Sequence, residues 1–477
     1  MAACLVVRAR WMMCLVFFLA PFKASSVVNF SLGGVPSGLQ AGYFAALIFF
    51  MKLLLDGVTL GRITVSREVM KTFSMLFLFA AVATLGAIVL PVLFRGAVEV
   101  YPLDLGLRDT DLTPLTPRTG NFTQTIYLIV NVILAAAVAN LIVIRKDFMF
   151  AARAYVATSI FIVFMGIYQL MAHYGGFYYP YDVITNNPGY SQQFDQQLLG
   201  LKRYSSVFTE PSAAAHWLVG FIPFAIVAYL RGLFGRWLLW IILIAAGCLL
   251  VATSTTGYAA AMLLLGYVGL RALLRSAHGA PTVSHRAIAL GLSFAAAGVA
   301  LIGLLWVSGV FDIVSSVLDK AIVTKLASES GERRLGGDAH AIWLMIQTGG
   351  LGVGWGGNKA SSQLLRVAST TGVPGLIILG YFIIGLIRRN RAVVANPSSD
   401  SQLLNLVSAQ GWAVAGMFLA ALIAAGDPNA LGFWIGLAMY VAVLVGTTDD
   451  QQSATQRSAV EHPVGAALPG GIDRPPG

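Results

Sequence analysis

Apolar runs of roughly 16 to 24 residues recur along most of this chain, separated by polar breaks that carry nearly all the charge. A helix needs about 20 mostly apolar residues to cross the hydrocarbon core of a bilayer. The runs fall near 11–30, 37–55, 71–94, 124–144, 151–174, 211–230, 237–252, 257–274, 287–309, 364–387, 403–425 and 431–446. The pattern predicts an all-α polytopic membrane protein of about 12 transmembrane helices, with residues 1–446 as a single transmembrane domain. Three connections are long, at about 95–123, 175–210 and 310–363, and alternation puts all three on the same side. From about Thr447 onward the chain turns polar and rich in Pro and Gly, which predicts a disordered tail over 447–477.

Composition sharpens this picture. The 477 residues are 57% hydrophobic and 11% charged, against about 25% charged in soluble domains. The net charge of +10 suggests nucleic acid until its distribution is considered. With both termini cytoplasmic, Lys and Arg exceed Asp and Glu by about 11 on the inner side, whereas the outer side is near −1. The basic excess is thus topological, and no nucleic acid is expected. Arg8 and Arg10 precede "WMMCLVFFLAPF" in the manner of a signal peptide, but the many spans that follow favour a first membrane helix. Cys4, Cys14 and Cys248 lie in apolar segments with neither metal-ligand nor disulfide spacing, so no metal and no cofactor is expected.

The charges that remain to be explained lie on the outer side. In "KRYSSVFTEPSAAAHWLV", Lys202, Arg203 and Glu210 stand directly before the sixth span. Pro211 suits the first turn of a helix, and a carboxylate there is favoured by the helix dipole. Glu210 as a cap with Lys202 and Arg203 as interfacial anchors is one reading. The other is Arg203 holding a phosphate by paired, charge-assisted bonds, with Glu210 orienting it or handling a proton. His216, further into the same span, is expected to be a hydrogen-bonded packing residue.

A second constellation closes the longest loop, in "SGERRLGGDAHAIWLMIQTGGLGVGWGGNKASSQLLRVASTTGVPGL". Arg333 and Arg334 precede an amphipathic stretch carrying Asp338 and His340, and Lys359, Ser361 and Arg366 follow a glycine-rich turn. Gly352, Gly354 and Gly357 match a dinucleotide fingerprint in spacing only, because the required strand–turn–helix context is missing. These glycines are expected to pack closely and shape a pocket floor. Gly372, Pro374 and Gly375 interrupt the tenth span and predict a bend there. Basic clusters on several outer loops suit a lipid-borne diphosphate at headgroup depth.

The order of these motifs resembles the O-antigen polymerase and ligase superfamily (Wzy-type), over about residues 200–390. The motifs are Arg203 with "FTEPS", the Ser/Thr turn "ATSTTGYAA" (Ala252–Ala260), and a loop arginine followed by "LGVGWG" and "TGVPGL". Most similar are the exopolysaccharide repeat-unit polymerases. The resemblance implies an inverting glycosyltransferase of the bacterial inner membrane that uses undecaprenyl-diphosphate-linked glycans at the periplasmic face, without a nucleotide sugar. Arg203, Glu210, Arg333 and Arg334 would be catalytic, with Lys202, Asp338, His340, Lys359, Ser361 and Arg366 binding substrate. A flippase and a chain-length regulator would be its assembly partners. Ligases of the superfamily carry His-Asn where this chain has Ser361-Ser362, which favours a polymerase, and Ser254-Thr255 replaces the family's Ser-Arg in the turn.

On that reading the leaving diphosphate needs charge stabilisation rather than a general acid, and the acceptor hydroxyl needs a base, ranked Glu210, Asp338, His340. The rivals are a ligase and a lipid-linked oligosaccharide flippase. A transporter would place more polar residues at midspan than the few here, Asn131, Asn140 and Gln169 among them.

Overall fold

The computed structural model describes residues 7–32, 35–59, 61, 64–103, 112–189, 196–198, 200–276, 285–307, 329–395, 401–424 and 429–461. Side chains are described for these except 268–276, 298, 301–307, 329–331, 333, 424 and 449–461. The long helices are α1 (Ala9–Leu19), α2 (Ala41–Thr59), α3 (Arg67–Leu93), α4 (Thr119–Arg145), α5 (Phe148–Gly175), α7 (Pro211–Leu230), α8 (Leu238–Val251), α9 (Thr255–Ser276), α10 (His285–Val307), α11 (Glu329–Gln347), α12 (Gln363–Ala395), α13 (Ser401–Ala424) and α14 (Leu431–Glu461), with a single turn, α6 (Tyr181–Ile184), between α5 and α7. Eight helices among the described residues are long and apolar enough to cross a membrane.

Helix ends follow local chemistry. Ser66 caps α3 by accepting the Val69 amide at 3.4 Å, and Glu68 lies in its first turn. Pro211 opens α7 at the residue the apolar pattern indicates. Gly176, in the left-handed conformation, closes α5. Where helices meet, small residues bring backbones together: a Cβ on Gly416 of α13 would lie 2.2 Å from the Val219 carbonyl of α7.

Two expectations need correction. The predicted first span, 11–30, is instead the 11-residue α1 followed by an antiparallel hairpin, β1 (Ser26–Leu32) and β2 (Val35–Gln40). A helix of that length rises about 16 Å, roughly half a hydrocarbon core. Pro21 and the paired Ser25-Ser26 end the helical run, and Val28, Phe30 and Leu32 then alternate with polar residues in a strand pattern. The second correction concerns the tail: α14 does not stop near Gly446 but continues to Glu461. Residues 462–477 of the predicted tail lie outside the described residues, as does 308–328 of the longest loop.

Contacts between sequence-distant segments gather at two ends of the bundle. At one end Asn187 donates its amide to Ala24 O at 2.9 Å, Trp355 Nε1 donates to Gln124 O at 3.1 Å, and Arg203 reaches Ala252 O at 3.1 Å. At the other, Arg389 meets Glu68 at 3.3 Å, Arg10 lies 4.0 Å from Asp147, and Arg286 donates to Tyr229 O at 3.1 Å. The first end carries the long connections and is called the loop face. There, short ladders join β3 (Glu99–Val100) to β4 (Thr113–Pro114) and β5 (Gln197–Leu198) to β6 (Leu201–Lys202). A small apolar cluster of Val98, Val100, Leu115, Leu344 and Val353 seats α11 on this face, apart from the main core.

Candidate functional site

The segment that carries Arg203 is a buried, hydrogen-bonded loop and not a flexible linker. Gln169 of α5, 1% exposed, accepts the Ser205 and Ser206 amides on Oε1 at 3.1 and 3.0 Å and donates Nε2 to Ser205 Oγ at 2.9 Å. Tyr204 Oη and Ser206 Oγ both donate to Ile162 O, at 3.0 and 2.7 Å. The Tyr204 ring fills the space over Gly166, where a Cβ would lie 1.9 Å from it. These bonds hold Ser206 at φ 53, a conformation that costs a non-glycine residue about 1 kcal/mol or more. The rigid loop fixes the position of Arg203 and Glu210.

Arg203 points to the Ser/Thr turn between α8 and α9. Its Nε donates to Ala252 O at 3.1 Å and Thr253 Oγ1 at 2.6 Å, and its Nη2 donates to Thr253 O at 3.0 Å. Nη1 donates to Gln196 Oε1 at 2.6 Å. Thr253 adopts φ 45 to present both oxygens. One N–H on each guanidinium nitrogen is thereby engaged, and among the described residues the second N–H of Nη1 and of Nη2 stays open. Burial lowers the pKa of Arg203; the Glu210 carboxylate and the Tyr258 hydroxyl oppose that shift, and the positive charge of Arg334 adds to it. Arg334, on α11, is close enough for its charge to act on Arg203.

Glu210 occupies the N-cap position of α7, yet its side chain makes no capping bond to the helix amides. The carboxylate instead accepts a bond from Ser212 Oγ and acts electrostatically on two cations, Arg203 and Lys23. Lys23 lies between α1 and the hairpin. Asn187 holds its segment, donating Nδ2 to Lys23 O at 3.4 Å, and Ser25 Oγ donates to Val183 O at 2.9 Å. Lys23 is half-buried. Burial pushes its pKa down to about 8, Glu210 opposes this, and Arg366 adds to it.

Arg366, in the first turn of α12, is 9% exposed. Its Nη2 donates to Ala360 O at 3.2 Å, whereas its Nε is enclosed without a hydrogen-bond partner. Asp338 of α11 acts on it electrostatically, and Asp338 Oδ1 accepts the Ser361 and Ser362 amides at 2.8 and 3.0 Å.

The other predicted residues have different surroundings. Lys202 is 2% exposed, with its ammonium 5.9 Å from the Tyr181 ring centroid. His340 bonds Glu99 O through Nε2 at 2.9 Å, stacks on Trp343 and meets the Tyr101 ring edge-on, which fixes α11 to β3. Lys359 donates its amide to Tyr101 O at 2.9 Å, and Ser361 enters through its backbone. Arg333 lies on α11 with its side chain outside the described residues. His216 differs from expectation: both ring nitrogens are enclosed with no hydrogen-bond partner.

The glycine-rich turn is the clasp that holds this end of α12. The helix breaks at Gly372 (φ 62, ψ −159), as the sequence predicts. An unbroken helix would bond Ser369 O to the amide of residue 373, and Thr370 O would find no amide on Pro374. Instead the Val373 amide turns to Gly350 O at 2.8 Å, and the Val353 and Gly354 amides bond Ser369 O and Thr370 O at 2.9 and 3.0 Å. Only glycine fits the crossing, since a Cβ on Gly372 would lie 2.1 Å from Gly350 O.

No protein-family model matches the chain, and no curated protein matches it significantly. Sequence reasoning missed Lys23, which it placed inside a membrane span. It also missed Gln169 and Gln196, whose partners are distant or irregular in sequence. The one available signal for Lys23 was a lone ammonium closing an apolar run next to Ala24-Ser25-Ser26.

Proposed function

We propose that this protein is a bacterial inner-membrane glycosyltransferase that polymerises undecaprenyl-diphosphate-linked oligosaccharide repeat units at the outer face of the membrane. The observation that carries the reading is Arg203, fixed at the loop face by the Thr253 and Gln196 oxygens with two N–H groups left open among the described residues. A half-buried guanidinium with open N–H groups suits an anionic group such as a diphosphate. The excess of Lys and Arg on the connections opposite the long loops supports an outward loop face.

In this mechanism the donor brings its own leaving group. Arg203, anchored by Thr253 and Gln196, would neutralise charge as the glycosyl–oxygen bond to the diphosphate breaks. Its rigid loop supplies preorganisation, so little reorganisation accompanies the reaction. Glu210 would accept the proton of the attacking sugar hydroxyl. Its freedom from helix capping supports that role. The flippase that delivers repeat units and a regulator of chain length would be its neighbours in the bilayer.

The test is Arg203→Ala in cells, with undecaprenyl-linked glycans extracted and sized beside the surface polysaccharide. Single repeat units accumulating on the lipid, with polymer lost, is the expected result. Long polymer stranded on the lipid would instead indicate a ligase, and single units held on the cytoplasmic side a flippase. An unchanged profile would remove Arg203 from the chemistry.

A further inference from the structure

The turn that leads into α12 gathers polar groups that the proposed chemistry does not use. Asp338 Oδ1 accepts the Ser361 and Ser362 amides at 2.8 and 3.0 Å, which docks α11 on this turn. Arg366 folds back over the same residues: its amide donates to Ser362 O at 2.9 Å and its Nη2 to Ala360 O at 3.2 Å. Gln363 opens α12 three residues before Arg366, so the two side chains share one face of the helix. We propose that Asp338, Gln363 and Arg366 form a glycan subsite at the loop face, where they bind neighbouring hydroxyls of one sugar of the lipid-linked glycan. This rests on the reading of the protein as one that uses such a glycan.

Each of the three side chains has a polar atom left over. Arg366 is 9% exposed, and its enclosed Nε has no partner among the described residues. Gln363 Oε1, on the same helix face, is likewise enclosed and unpartnered. Asp338 spends Oδ1 on the two serine amides, and its Oδ2 takes no bond among the described residues. Protein interiors rarely leave a charged donor and an amide oxygen unmatched within one turn unless another molecule completes them. The guanidinium is fixed by Ala360 O. No hydrogen bond among the described residues holds the half-buried Gln363 side chain, so it can turn to admit a ligand.

The mixture of donor and acceptors selects the class of ligand. A phosphate offers acceptors only: it could meet Arg366, but it would face the Asp338 carboxylate with nothing to donate. An acyl chain would leave all three groups unmatched. A hydroxyl both donates and accepts. One hydroxyl can accept from Arg366 Nε, a charge-assisted bond, and donate to Gln363 Oε1. A neighbouring hydroxyl can donate to Asp338 Oδ2, a demand that holds whichever way the Gln363 amide is turned. A sugar ring carries hydroxyls on adjacent carbons, which supplies both bonds from one rigid group. The loop face then divides the ligand, with Arg203 on the diphosphate and the start of α12 on the glycan.

The experiment measures binding of two probes to the purified full-length protein in phosphatidylcholine nanodiscs, a lipid without free hydroxyls, with melting temperature as the folding check. One probe is the repeat-unit oligosaccharide released by mild acid from the host's lipid-linked glycans; the other is farnesyl diphosphate. The wild type is expected to bind both. Gln363→Leu and Arg366→Met should each weaken oligosaccharide binding about tenfold and leave diphosphate binding unchanged. Arg203→Ala should do the reverse. If Arg366→Met does not fold, Asp338→Asn takes its place, since it keeps an acceptor for the two serine amides and turns the other oxygen into a donor. Unchanged oligosaccharide binding in these variants, or weakened diphosphate binding, would overturn the glycan subsite and leave the diphosphate reading standing. A wild type that binds the diphosphate but not the oligosaccharide would do the same. If the wild type binds neither probe, the proposed function fails and the subsite fails with it.

Discussion

The two ends of the bundle use the same residue types for different purposes. At the end opposite the loop face, basic residues meet carboxylates in simple pairs: Arg389 with Glu68 at 3.3 Å, Lys52 with Asp56 at 2.8 Å one helical turn away, and Arg10 near Asp147. At the loop face, Arg203 is held by the Ala252, Thr253 and Gln196 oxygens and Arg366 by the Ala360 carbonyl, and neither forms an ion pair among the described residues. Pairing of the first kind suits a chain whose orientation is set by where its charge lies. Arginines of the second kind keep a charge that no carboxylate contacts directly, which suits the proposed anionic ligand. Net charge alone does not distinguish these cases; the neighbours of each charge do.

The sharpest way to break this comparison is to remove one cation from each end. On the proposed polymerase function, Arg203→Ala should reduce polymer formation by about 10²–10³, the range seen when one preorganised donor is removed from a developing anion, while Arg389→Ala leaves polymer unchanged. In vitro turnover of a lipid-linked repeat unit measures both. Equal losses would mean that Arg203 is an anchor like Arg389.

A smaller effect is expected from the scaffold of the loop face. Gln169→Ala orphans the Ser205 and Ser206 amides, and each orphaned buried group costs about 1–3 kcal/mol. A lower melting temperature, with weaker diphosphate binding in the fraction still folded, would mark Gln169 as the support of Arg203. Unchanged stability would show that the loop is held by Tyr204 and Ser206 alone.

Lys23 adds a pH dependence that the opposite end lacks. Its pKa falls from 10.5 to about 8 in the folded protein, through burial first, with Glu210 and Arg366 facing it. Between about pH 8 and 10.5 the unfolded chain then binds the proton more readily, so stability rises with pH across that window. In Lys23→Arg this rise should disappear from the pH profile of thermal unfolding, and its persistence would assign it to another group.

The smallest effect tests the opposite end directly. Arg389→Ala should change stability by no more than about 1 kcal/mol, because its partner is partly exposed. A larger loss, measured by thermal unfolding in detergent, would show that this end also depends on its charges.

Much of the fold is legible in the apolar pattern, because a bilayer imposes one length scale on every crossing. The start of α7 at Pro211 and the break at Gly372 follow from local rules for proline and glycine, and the glycine-rich turn packs as those rules require. Hairpin β1–β2 was hidden because "VVNFSL" is apolar enough to pass for the end of a helix. Arg203 and Glu210 stand out as charges at a helix entrance. Their coupling to Lys23 could not be read, since it arises only when the turn after α1 docks on the 183–187 segment. The stop expected near Gly446 failed because "TTDDQQSATQRSAVE" contains no proline or glycine to end a helix already under way.

The exchange of bonds between α12 and the glycine-rich turn also bears on how the chain is made. Ser369 O and Thr370 O are supplied by amides 16 residues earlier, at Val353 and Gly354. In hydrocarbon, each of these carbonyls left bare would cost several kcal/mol. Residues 348–357 must therefore be in place before α12 leaves for the lipid, and synthesis from the N-terminus supplies them in that order. A chain in which this turn is misplaced would hold a helix that resists partitioning, which gives the cell's quality control a defined point at which to reject it.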